Sequence, residues 1–206
     1  MTAYVADARS WRSPRLQRAD EAVSAWAAET LSGIGSGAEA LCVATLDSGA
    51  WESVHFWKTG LASGLAFANP RPFPWTLANS PTGRIAQSLS VRGPTFTIVG
   101  RADALTAALD HALLELASGR ARRVLVAALD GITLEETRLA AVLLVDVKGT
   151  ENLAIVATDS RPPWSAIVVH DTASETLAAV INRLEAAEFV AVGNDRDGWF
   201  EFRPDR

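Results

Sequence analysis

Residues 79–101 read Asn79-Ser80-Pro81-Thr82-Gly83-Arg84-Ile85-Ala86-Gln87-Ser88-Leu89-Ser90-Val91-Arg92-Gly93-Pro94-Thr95-Phe96-Thr97-Ile98-Val99-Gly100-Arg101. The order of chain breakers and apolar residues here sets the architecture. Trp75–Ser90 reads as helical, and Pro81, which has no N–H to donate, belongs in the first turn or kinks the helix. Gly93-Pro94 is a turn. Phe96–Val99 is a short strand of aromatic and β-branched residues. Ala102–Ser118 follows as the clearest helix, with Leu105, Leu109, Ala112, Leu113 and Leu116 on one face. Gly119 stands where a left-handed cap closes a helix.

Working outward, Val124–Leu129 and Leu139–Val147 are unbroken apolar runs rich in Val and Leu, the pattern of central strands covered on both faces. Upstream, Tyr4–Ala6 predicts a short strand, Ala19–Leu31 a helix, Ala40–Leu46 a buried strand around Cys42, and residues 50–66 another helix. Pro70, Pro72 and Pro74 predict an extended loop. Ser32-Gly33-Ile34-Gly35-Ser36-Gly37 follows a helix and precedes a strand, the reverse of a dinucleotide-binding loop, so it reads as a turn. After Gly149, Leu153–Ala157 and Ala166–Val169 are strand-like around Pro162-Pro163. Thr172-Ala173-Ser174-Glu175 is a capping box opening a helix, and Phe189–Val192 with Trp199–Phe202 reads as a hairpin. Helices alternating with buried strands predict an α/β layer structure.

Together, the Asn79-x-x-x-Gly83 helix, the Gly93-Pro94 turn, the strand, the long helix with Gly119, and Arg123–Asp130 resemble the region around the nucleophile of β-ketoacyl synthases and their chain-length-factor relatives. Pro72-Phe73-Pro74 and the Leu139–Asp146 strand fall in step. The resemblance spans roughly residues 1–148, with Asn79–Asp130 its specific part. It implies a thiolase-like half-fold, a layered sheet with helices on both faces. Residues 1–149 would form a ketosynthase N-terminal-like domain, with 150–206 an α/β extension packed on it. It also implies a dimer contact along Thr95, Phe96, Thr97, Ile98 and Val99, and an acyl pocket lined by Phe73, Trp75 and Asn79. Core and interface packing is the plainer role for those aromatics.

The sequence departs from the pattern where the chemistry sits. Ala102 occupies the nucleophile's position, and a methyl group cannot carry an acyl chain. His55, His111 and His170 are the only histidines, and His111 lies nine residues along the helix from Ala102. Asp103, Thr106, Asp110 and Glu115 mark the helix's other face, which is expected to meet water or a polar partner. The implied role is a non-catalytic, chain-length-factor-like protein of polyketide or fatty-acid synthesis. It would form a homo- or heterodimer with a ketosynthase and engage an acyl carrier protein. The alternatives are an acyl-thioester enzyme using Ser80, Thr82 or Cys42 with a histidine, and a homodimeric binding protein without chemistry.

Composition narrows the remaining classes. The 206 residues are 49% hydrophobic and 21% charged, with a formal net charge of -5. That balance disfavours nucleic acid and anionic membranes as partners. Arg120, Arg122 and Arg123 read as a solvated corner. One cysteine excludes an internal disulfide, and Cys42 within an apolar strand reads as inert packing. His170-Asp171 reads as a surface turn, and no spacing suggests a metal site or a cofactor. The N-terminus lacks a signal peptide's basic start and apolar core, so the expected location is the cytoplasm.

Overall fold

The computed structural model describes residues 2–14, 20–131, 136–146, 153–158, 166–167, 172–185, 190–194 and 198–204. His170-Asp171, Pro162-Pro163 and the boundary at residue 149 lie outside them. The strands are β1 (Thr2–Pro14), β2 (Ala40–Thr45), β3 (Thr95–Val99), β4 (Arg123–Asp130), β5 (Glu136–Val145), β6 (Leu153–Thr158), β7 (Ala166–Ile167), β8 (Val190–Asn194) and β9 (Gly198–Pro204). The helices are α1 (Asp20–Leu31), α2 (Ala50–Ser63), α3 (Ser80–Ser88), α4 (Ala102–Ala117) and α5 (Ala173–Glu185).

The nine described strands form one mixed sheet in the order β3-β2-β4-β5-β1-β6-β9-β8-β7. The β3–β2 and β2–β4 pairs are parallel, and β4–β5 is antiparallel. Alternate residues of the central strands face opposite ways, as a pleat requires. Cys42, Val126 and Val142 join α4 and α5 in one core. Leu41, Leu125 and Leu143 join α1 in a second core on the other face. Helices on both faces, inferred from the two-sided burial of Val124–Leu129, are therefore present.

α4 organises the larger core. It packs against β2 and β4 but also against β8 and β9. In a flat sheet β2 and β9 would stand roughly 24 Å apart, five strand spacings, too far for a helix about 10–12 Å across that runs along the strands to touch both. The sheet therefore curls around α4, and β1 is the strand that carries the curl. Tyr4 to Pro14 pair with β5, Thr2 to Tyr4 pair with β6, and a register shift between Val5 and Asp7 bends the strand. Ala104, Ala108 and Ala112 are fully buried on α4 and let it lie close to Ala40, Ala44, Ala128 and Ala140. Leu105, Leu109 and Leu113 fill the space beyond them.

Four sequence expectations change. The first strand is 13 residues long, not three. Its second half is polar because it meets β5 at a partly exposed surface. The proline segment is no plain extended loop but carries a 3-10 turn at Phe73–Thr76, and the following helix starts only at Ser80, with Pro81 in its first turn. On α4, Asp103 and Asp110 are exposed as expected, but Thr106 and Glu115 are buried. Arg120 makes this tolerable for Glu115, closing over its carboxylate with two hydrogen bonds of 2.8 and 2.7 Å. Arg120 thereby holds that carboxyl below its usual range.

Gly119 takes φ 69°, the left-handed cap expected of it. Gly93 is required for a different reason: a side chain there would collide with the carbonyl oxygen of Glu39.

Two buried aspartates tie distant elements together. Asp130, at the end of β4, accepts hydrogen bonds from the backbone N–H of Leu46 (2.6 Å) and of Ser174 (2.9 Å). It thus links the end of β2 to the first turn of α5. Asp20 accepts from the N–H of Gly49 (2.7 Å) and of Glu52 (3.1 Å), capping α2 from the start of α1. Burial raises both carboxyls above their usual 3.8, against the opposing pull of these bonds. Raised folded-state values give stability that is full below the unfolded-state pKa and is lost as pH climbs through the folded-state pKa. Asp130→Asn keeps one acceptor but leaves one N–H without a carboxylate. It should cost about 1–3 kcal/mol in urea unfolding and flatten the fall in stability above pH ~4.

Candidate functional site

β3, Gly100-Arg101 and α4 form a strand-turn-helix elbow. The N–H of Gly100 donates to the Thr45 carbonyl at 3.0 Å, which fixes the turn against the end of β2. Arg101 adopts a non-helical conformation before the first helical residue, Ala102. Ala102 is partly buried at the α4 N-terminus, where free N–H groups and the helix dipole would favour an anion. Its methyl group offers no nucleophile, acid or base.

The other candidates are dispersed. His111, about 14 Å along α4 at 1.5 Å per residue, stacks on Phe96 with ring centroids 4.9 Å apart. His55 is exposed on α2 and stacks on Trp51, and His170 lies outside the described residues. Cys42 is fully buried, and desolvation, with a smaller contribution from Glu115, pushes its thiol up to about 12. Ser80 donates its hydroxyl to the Pro74 carbonyl. Thr82 is buried and shares a 2.6 Å hydrogen bond with Thr97. Among the described residues, no group of three or more His, Cys, Asp or Glu could hold a metal ion, and no helix is long and apolar enough to cross a membrane.

What the structure does bring together is an open surface. β3 is the edge strand of the sheet and, among the described residues, pairs only with β2. Thr95 and Val99 are exposed, and Phe96, Thr97 and Ile98 are half-buried. The strand contains no Lys, Pro or other device that blunts an edge against pairing. Next to it lies α3, joined through Thr82–Thr97. The Phe73–Thr76 turn follows, joined through Ser80–Pro74, and then α2, joined through an edge-on contact of Phe56 with Phe73 at 5.8 Å. α2 buries only Gly60 of its 14 residues. Phe73 and Asn79 are exposed, and Trp75 is half-buried.

Sequence reasoning missed the paired roles of Asp20 and Asp130, whose partners are far along the chain. It also missed a cleft of about 460 Å³ between β1, β5 and α5, lined by Trp11, Arg138, Glu175 and Asn182. Arg138 there is already engaged by Glu136 and Glu175.

The sequence significantly matches no family model and no curated protein. Solved structures do match. The chain superposes with a TM-score of 0.65 on the Xenorhabdus doucetiae structure of the ketosynthase ApeO with its chain length factor ApeC, at 14% identity over 98% of this chain and 99% of that one. The chain has a thiolase-like ketosynthase fold. The ishigamide ketosynthase/chain length factor gives 0.64 at 14% identity, over 81% of this chain and 73% of that one. 3-Oxoacyl-[acyl-carrier-protein] synthase III from Aquifex aeolicus gives 0.55 at 9% identity, over 97% and 98%. The first of these alignments runs past residue 148, where the sequence resemblance stops, and takes in the C-terminal strands.

The setting of Cys42 yields a direct expectation. At pH 8 the native chain should leave Cys42 unmodified by iodoacetamide and take up one equivalent only in denaturant, read by mass spectrometry. Modification of the native chain at the rate of a free thiol would contradict its burial.

Proposed function

We propose that the chain is a non-catalytic, chain-length-factor-like protein that pairs through β3 with an active ketosynthase in polyketide or fatty-acid assembly. The observation that carries this reading is the elbow itself. The thiolase-like strand, turn and helix are built, yet Ala102 stands at the helix start, directly after an edge strand with a free side. Two of the structures that share the fold are ketosynthase–chain length factor complexes, which supports the pairing.

In this role the chain contributes shape and not chemistry. Strand addition at β3 would satisfy the open N–H and C=O groups of the edge and cover Phe96 and Ile98. Phe73, Trp75 and Asn79 would then bound the acyl pocket from this side and limit the length of the chain that an acyl carrier protein delivers. The open outer surface of α2 would be covered at the same time.

The test is co-expression with active ketosynthases, followed by light scattering of the purified species. The expected result is a stable complex with one ketosynthase that Phe96→Asp or Ile98→Asp weakens at least tenfold. Each places a carboxylate in a contact that loses water, a cost of at least ~1.4 kcal/mol. The chain alone should show no condensing activity. A chain that ignores every ketosynthase, or a complex indifferent to both substitutions, would contradict the proposal.

A further inference from the structure

The residues around the free edge share a charge pattern that the rest of the chain lacks. From Ser53 to Ala102 there are five cations, Lys58, Arg71, Arg84, Arg92 and Arg101, and no Asp or Glu. The other residues therefore hold 14 of the 19 Lys and Arg against all 24 Asp and Glu. All five cations are exposed. The same segment supplies eight of the nine large apolar side chains that stand exposed among the described residues, including Trp57 at 54%, Leu61 at 72% and Phe67 at 82%. It builds α2, α3 and β3, so a basic, apolar surface adjoins the open strand of an otherwise acidic chain.

This pattern bears on which protein can pair with β3, and the inference rests on the pairing reading above. A two-fold dimer of identical chains uses the same patch on both subunits. With β3 antiparallel to its copy about Thr97, Phe96 would face Ile98 and Thr95 would face Val99. Arg101 would then fall opposite Gly93 of the other copy, one position from its Arg92, and the same would happen at the strand's other end. Moving the axis to Phe96 or Ile98 leaves Arg101 within three positions of that Arg92. The centre of such a contact is self-complementary and its two ends are not. Asp103 and Glu52 stand just outside the segment and offset this only in part.

We infer that β3 is built to pair with a different protein, one whose own open edge strand is flanked by carboxylates, and that Arg92 and Arg101 suppress pairing of this chain with itself. Like charges facing one another in a closing interface act against the wrong partner, and opposite charges speed and orient the right one. A lipid surface fits less well. Trp57, Phe67 and the arginines suit one, but lipid cannot satisfy the N–H and C=O groups of a strand edge.

The chain can serve as its own probe, because Arg92→Glu with Arg101→Glu turns its edge into an acidic one. Both sites are exposed, and thermal melting of the double variant monitored by circular dichroism checks that it folds. In low salt the wild-type chain alone and the double variant alone should each stay monomeric by light scattering. Their equimolar mixture should form a dimer. That dimer should disappear when Phe96→Asp is added to either chain and weaken at least tenfold in about 0.5 M salt, where the Debye length is roughly 4 Å. A wild-type homodimer broken by Phe96→Asp would overturn the charge inference while leaving the edge as a pairing surface. A mixture that stays monomeric would overturn the charge inference too, and binding of ketosynthase by the wild-type chain would then decide the pairing reading separately. Sedimentation of the wild-type chain with phosphatidylglycerol vesicles, unchanged by Phe96→Asp, would assign the surface to lipid and overturn the inference.

Discussion

The carboxylate of Asp130 is the point on which the layers depend. It sits buried at the end of β4 and accepts one N–H from the segment after β2 and one from the first turn of α5. These elements are 84 and 44 residues away along the chain, so a single side chain sets where the C-terminal helix meets the N-terminal strands. Burying a carboxylate is costly, as its raised pKa records, and the two backbone bonds are what make it tolerable. Asp20 repeats the device between α1 and α2. With α5 fixed, α4 is enclosed, and the sheet has to curl around it through the bend in β1.

That closed interior contrasts with the outer edge. The buried carboxylates of Asp20, Asp130 and Glu115 each have close hydrogen-bond partners, and the central strands are covered on both faces. β3, in contrast, has one open side, and α2 is held by very little. Large apolar side chains exposed over a contiguous stretch mark a surface that meets something else. An edge strand without charges marks one that can be extended. The elbow at Ala102 belongs to both regions. It is framed by the interior and opens beside the edge, and it has no reactive group.

Much of this was legible in the sequence. The runs Val124–Leu129 and Leu139–Val147 announced strands buried on both faces, and Gly119 announced its cap. Thr172-Ala173-Ser174-Glu175 announced the start of α5, where the Glu175 N–H donates to the Thr172 hydroxyl at 3.3 Å. What stayed hidden depended on contacts remote in sequence. Arg9 to Ser13 are too polar to read as strand, yet they form one because β5 supplies a partner. Glu115 looked like a solvent-facing residue because Arg120, which covers it, lies beyond the end of the helix. Asp20 and Asp130 carried no signal of their roles, since nothing local indicates the N–H groups they hold. The exposure of the aromatic segment was hidden for a related reason: a Trp- and Phe-rich stretch reads as core until the structure shows how little packs against it.

Amide hydrogen exchange reads out whether a strand from a ketosynthase completes β3, as we propose. The exchange rates of the chain should be compared free and with a co-purified ketosynthase, using peptides that separate β2, β3 and α2. Slowed exchange concentrated in Thr95–Val99, with the already paired amides of β2 unchanged, is the result the account predicts. Unchanged exchange at β3 while protection appears elsewhere on the chain would contradict it.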